Sequence, residues 1–125
     1  MKFRLYYAGI RVRDLKRSLD FYTEAMGMKI VHRGTMPHGG KFVQLRGAGS
    51  EQTLELNWYP HGSRFYSEYV SGEEMDHLAF IVKDPAKAYK ELVSKGATSA
   101  VSPKDSKGTE VYVKDPDGIW IELLS

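Results

Sequence analysis

The pattern of strands and helices predicted for the first half of the chain occurs again, in the same order, in the second half. In each half a strand is followed by an aspartate suited to a helix N-cap, then by a helix and three short strands. The two caps, Asp14 and Asp84, are 70 positions apart. Two apolar-Glu-apolar triplets in the last strands, Leu54–Leu56 and Ile121–Leu123, are 67 positions apart, and the difference falls in loops. The chain is therefore predicted to be an internal duplication.

Apolar periodicity and the positions of Gly and Pro give the predicted bounds of these elements. For the first half we expect a strand over Leu5–Val12, a helix from Asp14 to Gly27, and strands over Lys29–Gly34, Lys41–Arg46 and Thr53–Trp58. For the second half we expect a strand over Met75–Lys83, a helix from Asp84 to Gly96, and strands over Thr98–Val101, Thr109–Lys114 and Ile119–Leu124. The prediction is one α+β domain over residues 1–125, built of two tandem βαβββ modules at about 3–60 and 74–125 with a linker at about 60–74.

Length and charge restrict the classes of partner. The 125 residues are enough for one domain with a core. The net charge of +2 comes from interleaved signs, so a nucleic-acid partner is not expected. There is no cysteine, which excludes disulfides, thiolate metal sites and cysteine nucleophiles. No apolar run approaches about 20 residues and the start lacks a signal-peptide core, so we expect a cytoplasmic protein with no membrane partner.

Glu122 is a carboxylate in the middle of an otherwise apolar strand. A buried carboxylate is costly unless it is paired with a donor or bound to a cation, so Glu122 is predicted to be exposed on an edge, salt-bridged or a ligand. If each half curls its strands around a concave face, the helix-side face forms the core. The predicted core residues are Ile10, Val12, Leu54, Leu56, Leu78, Phe80, Val82, Ile121 and Leu123. The opposite face collects Tyr7, Arg11, Glu55, His77 and Glu122.

An imidazole and two carboxylates that converge in a hollow make a mixed nitrogen and oxygen metal site, which suits zinc, nickel, iron, cobalt or manganese. The duplication favours such a site, because Glu55 and Glu122 are equivalent and His77 is equivalent to Tyr7. Taken singly, a strand histidine is more often a core or surface residue, and a glutamate in a terminal strand is more often solvated. A phenol titrates near pH 10. Tyr7 is therefore predicted to be a cavity wall or a hydrogen-bond donor rather than a strong ligand.

Other polar residues have two open interpretations. Arg11 is expected either to pair with Glu55 or to hold an anionic substrate. The loop of residues 104–108, which contains Lys107, is either a solvated turn or a lid that grips substrate. The remaining histidines lie in or beside loops and are predicted to be surface residues: His32, His38 and His61.

Four stretches together resemble the glyoxalase I family of the vicinal oxygen chelate superfamily. They are Ile10–Tyr22, Leu54–Leu56, Asp76–Phe80 and Asp115–Leu123, and the resemblance covers nearly the whole chain. It implies the glyoxalase/bleomycin-resistance-like fold, in which paired βαβββ modules form a cupped mixed sheet around a metal site.

The resemblance also implies a ligand set. Glu55, His77 and Glu122 match three ligand positions of the family, whereas Tyr7 stands at the fourth, where the family usually has His or Gln. This departure argues against a ring-cleaving dioxygenase, whose pattern requires His at that position. Nickel or zinc is the expected metal, with iron, cobalt or manganese as alternatives.

Substrate contacts follow from the same resemblance. Arg11 lies where the family grips a glutathione carboxylate, and Asn57 and Lys107 are further candidate substrate contacts. A family asparagine a few residues beyond the strand-four glutamate is Tyr59 here, which argues against glutathione itself as the thiol.

The implied activity is that of a lyase in methylglyoxal detoxification. A 2-oxoaldehyde–thiol hemithioacetal would be converted to a 2-hydroxyacyl thioester through a metal-bound enediolate. Glu122 is the first choice as ligand and proton-transferring base, and Glu55 is the second. The alternatives are an acyl-thioester epimerase of the same superfamily and a non-enzymatic protein that sequesters an antibiotic-like small molecule. Small members of the superfamily commonly form homodimers, so a homodimer is expected.

Overall fold

The structure, a computed structural model, describes residues 7–63, 66–71, 75, 77–106 and 111–125. The chain divides into two compact units, the first ending at Tyr69 and the second beginning at Val70. Within the part of the chain that is described, no helix is long and apolar enough to cross a membrane.

The first unit is a four-stranded mixed sheet with one helix. Its elements are β1 (Tyr7–Arg11), α1 (Leu15–Asp20, continued by a π-helical segment at Phe21–Ala25), β2 (Lys29–Thr35), β3 (Lys41–Arg46) and β4 (Thr53–Trp58). The strand order is β1-β4-β3-β2, with β1 parallel to β4 and the other pairs antiparallel. The first strand therefore pairs with the last one, and the connection between them includes the helix.

The second unit has the same topology. Its elements are β5 (Leu78–Ile81), α2 (Pro85–Ser94), β6 (Thr98–Val101), β7 (Tyr112–Lys114) and β8 (Trp120–Leu124). The strand order is β5-β8-β7-β6, again with one parallel pair, β5 and β8. Glu55 lies opposite Gly9 in the first sheet, and Glu122 lies opposite Ala79 in the second. Both sheets thus place a glutamate at the same point of the parallel pair, and the predicted fold class of tandem βαβββ modules is confirmed.

The helix ends agree with the sequence signals. The side chains of Asp14 and Asp84 each accept a hydrogen bond of 3.0 Å from the backbone N–H three residues on, as an N-cap does. Gly27 and Gly96 follow the two helices with φ values of 71° and 109°, in the left-handed region that glycine adopts without strain. Residues before Asp14 and Asp84 can therefore remain extended in β1 and β5.

The cores are made by the helix-facing side of each sheet. In the first unit the side chains under 10% exposed include Ile10, Val12, Phe21, Tyr22, Met28, Val43, Leu45, Leu54 and Leu56. In the second unit they include Leu92, Ala97, Val111, Val113, Ile119, Ile121 and Leu123. The alternation predicted for β4 and β8 is thus found, with the apolar members inward.

Apart from one-residue shifts at ends of β1, β2 and β8, three elements differ from the expected ones. The strand expected over Met75–Lys83 is observed only over Leu78–Ile81, and Leu78, Phe80 and Val82, which were predicted to be core residues, are half-buried. The first helix becomes π-helical from Phe21, where the Thr23 hydroxyl donates to the Leu19 carbonyl at 2.7 Å and competes for that acceptor. The strand expected over Thr109–Lys114 is observed from Tyr112, and its predicted start lies outside the described residues.

Candidate functional site

In the first unit three polar side chains converge on the sheet face that does not contact the helix. A Cβ atom placed on Gly9 would lie 3.2 Å from Asn57 Nδ2, 3.5 Å from Tyr7 Cε1 and 3.9 Å from Glu55 Oε2. The glycine therefore leaves the space into which all three side chains reach. This group, Tyr7, Glu55 and Asn57 around Gly9, is the first half-site.

The first half-site contains costly buried polar atoms. Glu55 is only 7% exposed, and its neighbour on β3, Gln44, is 8% exposed. Thr53, which lies opposite Tyr7, has a buried hydroxyl with no hydrogen-bond partner among the described residues. A buried carboxylate and an unpartnered hydroxyl on one face are the condition in which a bound cation or polar ligand is stabilising.

The second unit carries the other half-site. His77 Nε2 lies 3.4 Å from Glu122 Oε2, with the two side chains 36% and 18% exposed. Tyr112, the neighbour of Glu122 on β7, packs its ring edge-on against His77 at 5.8 Å between centroids. On its other side Tyr112 contacts Trp120 at 5.6 Å. The second half-site is therefore an imidazole and a carboxylate beside an aromatic wall.

The turn before β8 determines the register of Glu122. The buried Asp115 carboxylate accepts hydrogen bonds from the N–H groups of Asp117 and Ile119, each at 2.8 Å. Gly118 has a φ of 84° and donates to the Asp115 carbonyl at 3.0 Å. The chain thereby enters a strand that lies between β5 and β7, so Glu122 is on a central strand and not on an edge.

Arg11 lies on the same side of β1 as Tyr7 and is held by the segment that follows β4. Its Nη1 donates to the Ser67 hydroxyl, and its guanidinium lies 5.8 Å from the centre of the Tyr69 ring. Tyr69 in turn donates its hydroxyl proton to the Val12 carbonyl at 2.8 Å. The side chain thus has a defined position, and its predicted contact with substrate stays a prediction.

The other expected residues are placed as follows. Lys107 lies outside the described residues, and Lys104 of the same loop is exposed. His32 and His61 are exposed, as predicted. His38 is half-buried, because its ring packs on Tyr59 and its Nδ1 accepts from the Gly40 N–H at 3.2 Å.

Gly9 and Tyr112 were not among the predicted site residues. The strand register was the signal that could have found them, since Gly9 faces Glu55 and Tyr112 faces Glu122. To use this signal one must know the strand pairings, β1 parallel to β4 for Gly9 and β7 antiparallel to β8 for Tyr112. The alternation within one strand does not identify its partner strand.

The donors suit a metal ion that accepts both nitrogen and oxygen ligands. Within the described part of the chain, no three His, Asp or Glu side chains lie close enough together to hold an ion. Each unit instead offers a pair, Tyr7 with Glu55 and His77 with Glu122. Each pair is made of donor types that a divalent metal accepts.

Comparison with known proteins gives consistent relatives. The sequence model of the Glyoxalase/Bleomycin resistance protein/Dioxygenase superfamily matches residues 4–123. The chain is 33% identical over 129 residues to the lactoylglutathione lyase of Escherichia coli O157:H7, and the aligned region covers 97% of this chain and 91% of that enzyme. It is 32% identical to a lactoylglutathione lyase of Arabidopsis thaliana over 97% of this chain, but spans only 44% of that protein. The solved structure of the trypanothione-dependent glyoxalase I of Leishmania major is similar with a TM-score of 0.78 and 32% identity, over 99% of this chain and 87% of that one.

Proposed function

Because the chain belongs to the Glyoxalase/Bleomycin resistance protein/Dioxygenase superfamily, we propose that it is a metal-dependent lyase of the glyoxalase I type. The substrate would be the hemithioacetal of a 2-oxoaldehyde and a thiol, and the product a 2-hydroxyacyl thioester. The observation that carries the proposal is the imidazole–carboxylate pair of His77 and Glu122, together with its counterpart around Glu55 in the duplicated unit. Relatives named lactoylglutathione lyase, at about one-third identity, support the same class.

The reaction moves one proton between adjacent carbons and changes no oxidation state overall. A base removes the proton from the carbon that bears sulfur and returns it to the neighbouring carbonyl carbon, while the hydroxyl proton of the first carbon moves in the same direction, to the oxygen of the former carbonyl group. Glu122 is the proposed base, because its carboxylate is partly exposed and lies beside His77. Glu55, which is more deeply buried, is better suited to be a constant ligand.

His77, Glu122 and Glu55 would hold a divalent metal such as nickel or zinc, which when bound supplies Lewis acidity to the two substrate oxygens. Tyr7 forms the wall beside Glu55 and contributes its phenol as a hydrogen-bonding group. Asn57 directs its amide into the same space, and Arg11 offers a guanidinium for a carboxylate of the thiol. Tyr112 packs against the imidazole at 5.8 Å between ring centroids and would help to hold its orientation.

Glu122→Gln tests the role of the base. The amide has nearly the same shape but cannot accept the proton, so we expect turnover to fall at least about a hundredfold with the fold intact. Thioester formation should be followed by absorbance and mass analysis, with methylglyoxal and a panel of thiols, after loading with nickel or zinc. Glu51→Gln is the matched control, since Glu51 is exposed and outside both half-sites. Full activity of Glu122→Gln would contradict the assignment.

The same preparation separates the alternative functions. An epimerase would exchange the α-proton of a 2-substituted acyl thioester with solvent deuterium and leave the methylglyoxal hemithioacetal unchanged. A binding protein would do neither. We expect a thioester product from methylglyoxal with at least one thiol. We expect no exchange of the α-proton when a 2-substituted acyl thioester is supplied in place of methylglyoxal and thiol.

A further inference from the structure

The first unit has a cavity on the opposite side of its sheet from Glu55. Its volume is about 640 Å³, and it lies between the start of α1 and the ends of β2, β3 and β4. Val43 and Trp58 line it, and by strand alternation they face away from Gln44 and Asn57, the residues of the Glu55 side. We name this space the α1 cavity. It is separate from the first half-site because the sheet itself lies between them.

The α1 cavity has a charged rim. Arg13, Lys16, Arg33 and Lys41 contribute four cations, against the single carboxylate of Asp14. The Asp14 carboxylate is already engaged as the helix cap, through its bond from the Arg17 N–H. Lys16 is paired with Asp20 at 2.7 Å, and this bond and charge raise the pKa of Lys16. The net charge of the rim is therefore positive, with Arg33 and Lys41 as its main sources on the strands.

The floor of the α1 cavity is apolar. Leu15 and Leu19 of the helix and Val43 of the sheet line it, with the Trp58 ring at one end. Lys41 Nζ lies 5.8 Å from the centre of that ring, so the cation stands directly above an aromatic surface. An apolar floor of this kind, with cations restricted to one rim, recognises a molecule with an anionic end and an apolar body.

We propose that the α1 cavity binds a small amphiphilic anion, a carboxylate, sulfonate or phosphate group joined to an aromatic ring or a short acyl chain. Its volume is in the range of sites that enclose most of a small organic molecule. The head group contacts Arg33 and Lys41, and the apolar body lies between Leu19 and Val43. Neither the metal ligands nor the proposed base takes part, so the site is a second one on the same unit.

The test is a fluorescence titration with 8-anilinonaphthalene-1-sulfonate, an aromatic sulfonate that emits strongly when its rings leave water. We expect saturable binding to the folded wild-type protein, displaced by octanoate. The double variant Arg33→Gln/Lys41→Gln should bind at least about tenfold more weakly, because both charge-assisted contacts to the sulfonate are lost. The uncharged analogue N-phenyl-1-naphthylamine should show no such dependence on these two residues.

Two further variants keep the test informative if the double variant is unstable. Thr35→Trp fills the mouth of the cavity without changing its charge, and it should remove binding. Lys29→Gln removes a cation from the other end of β2, outside the cavity, and it should leave the dissociation constant unchanged. Equal affinity of wild type, the double variant and Thr35→Trp would overturn the proposal, as would the absence of saturable binding to folded wild type.

Discussion

At the first position of β1 the chain carries the phenol of Tyr7, where the second unit carries the imidazole of His77 at its equivalent position. The side chain is 37% exposed and reaches the space beside Glu55, so it can contact an ion or a substrate without a change of fold. An imidazole is a stronger ligand for nickel or zinc than a protonated phenol. The identity of this one residue should therefore set how firmly the proposed metal is held.

Tyr7→His should tighten metal binding. We expect the dissociation constant for nickel or zinc to fall by about tenfold or more, since a neutral nitrogen donor replaces a weak oxygen donor. Competition with a chromophoric chelator measures the change. Tyr7→Phe is the control and should bind metal as wild type does; a large loss of metal in Tyr7→Phe would show that the phenol is itself a strong ligand.

At the scale of the elements, the turn from Asp115 to Gly118 holds β8 in register. Asp115 is 3% exposed and is the acceptor for two backbone donors. When a buried acceptor of this kind is removed, the donors lose their partner away from water. The turn is thus expected to matter for stability as well as for the position of Glu122.

Asp115→Ala should lower the free energy of unfolding by about 1–3 kcal/mol, because two buried N–H groups are left without an acceptor. Urea denaturation monitored by circular dichroism measures this. Asp105→Ala, in an exposed turn, is the control and should change stability by no more than about 0.5 kcal/mol. If Asp115→Ala were as stable as wild type, the two hydrogen bonds would not be the reason for the ordered turn.

The sequence predicted these elements unevenly. Lys41–Arg46, Thr53–Trp58 and Thr98–Val101 were predicted with the observed bounds, because Gly or Pro residues lie close to both ends of each strand. The π-helical segment after Asp20 was not predicted, since Phe21 and Tyr22 have the same apolar spacing in either helix type. Gly9 could not be identified as a site residue from the local sequence pattern alone, because it lies beside Glu55 only through the pairing of two strands that are distant in sequence.

At the scale of the whole molecule, the duplication distributes the proposed ligands over two units. The first unit supplies Tyr7 and Glu55, and the second supplies His77 and Glu122. A complete set requires both kinds of unit, either from one chain or from two copies. The homodimer that is expected from the sequence would supply them from two copies.

Mixing two inactive variants distinguishes these arrangements. If sites are shared in a homodimer, Glu55→Gln and Glu122→Gln chains that are unfolded and refolded together should form heterodimers with one intact site. We expect recovery of about a quarter of wild-type activity after random pairing, because half of the dimers would carry one intact site of two. Refolding each variant alone is the control. No recovery in a preparation shown by mass analysis to contain heterodimers would place both halves of each site in one chain.

The most direct test of the central claim is the metal content of the purified protein. After loading with nickel or zinc and dialysis against metal-free buffer, elemental analysis should find about one ion per chain in wild type. His77→Ala should lose most of that metal, whereas His32→Ala, which changes an exposed histidine outside both half-sites, should retain it. A wild-type protein that stays metal-free after loading, or a His77→Ala protein that keeps the ion, would contradict a metal centre built on His77 and Glu122.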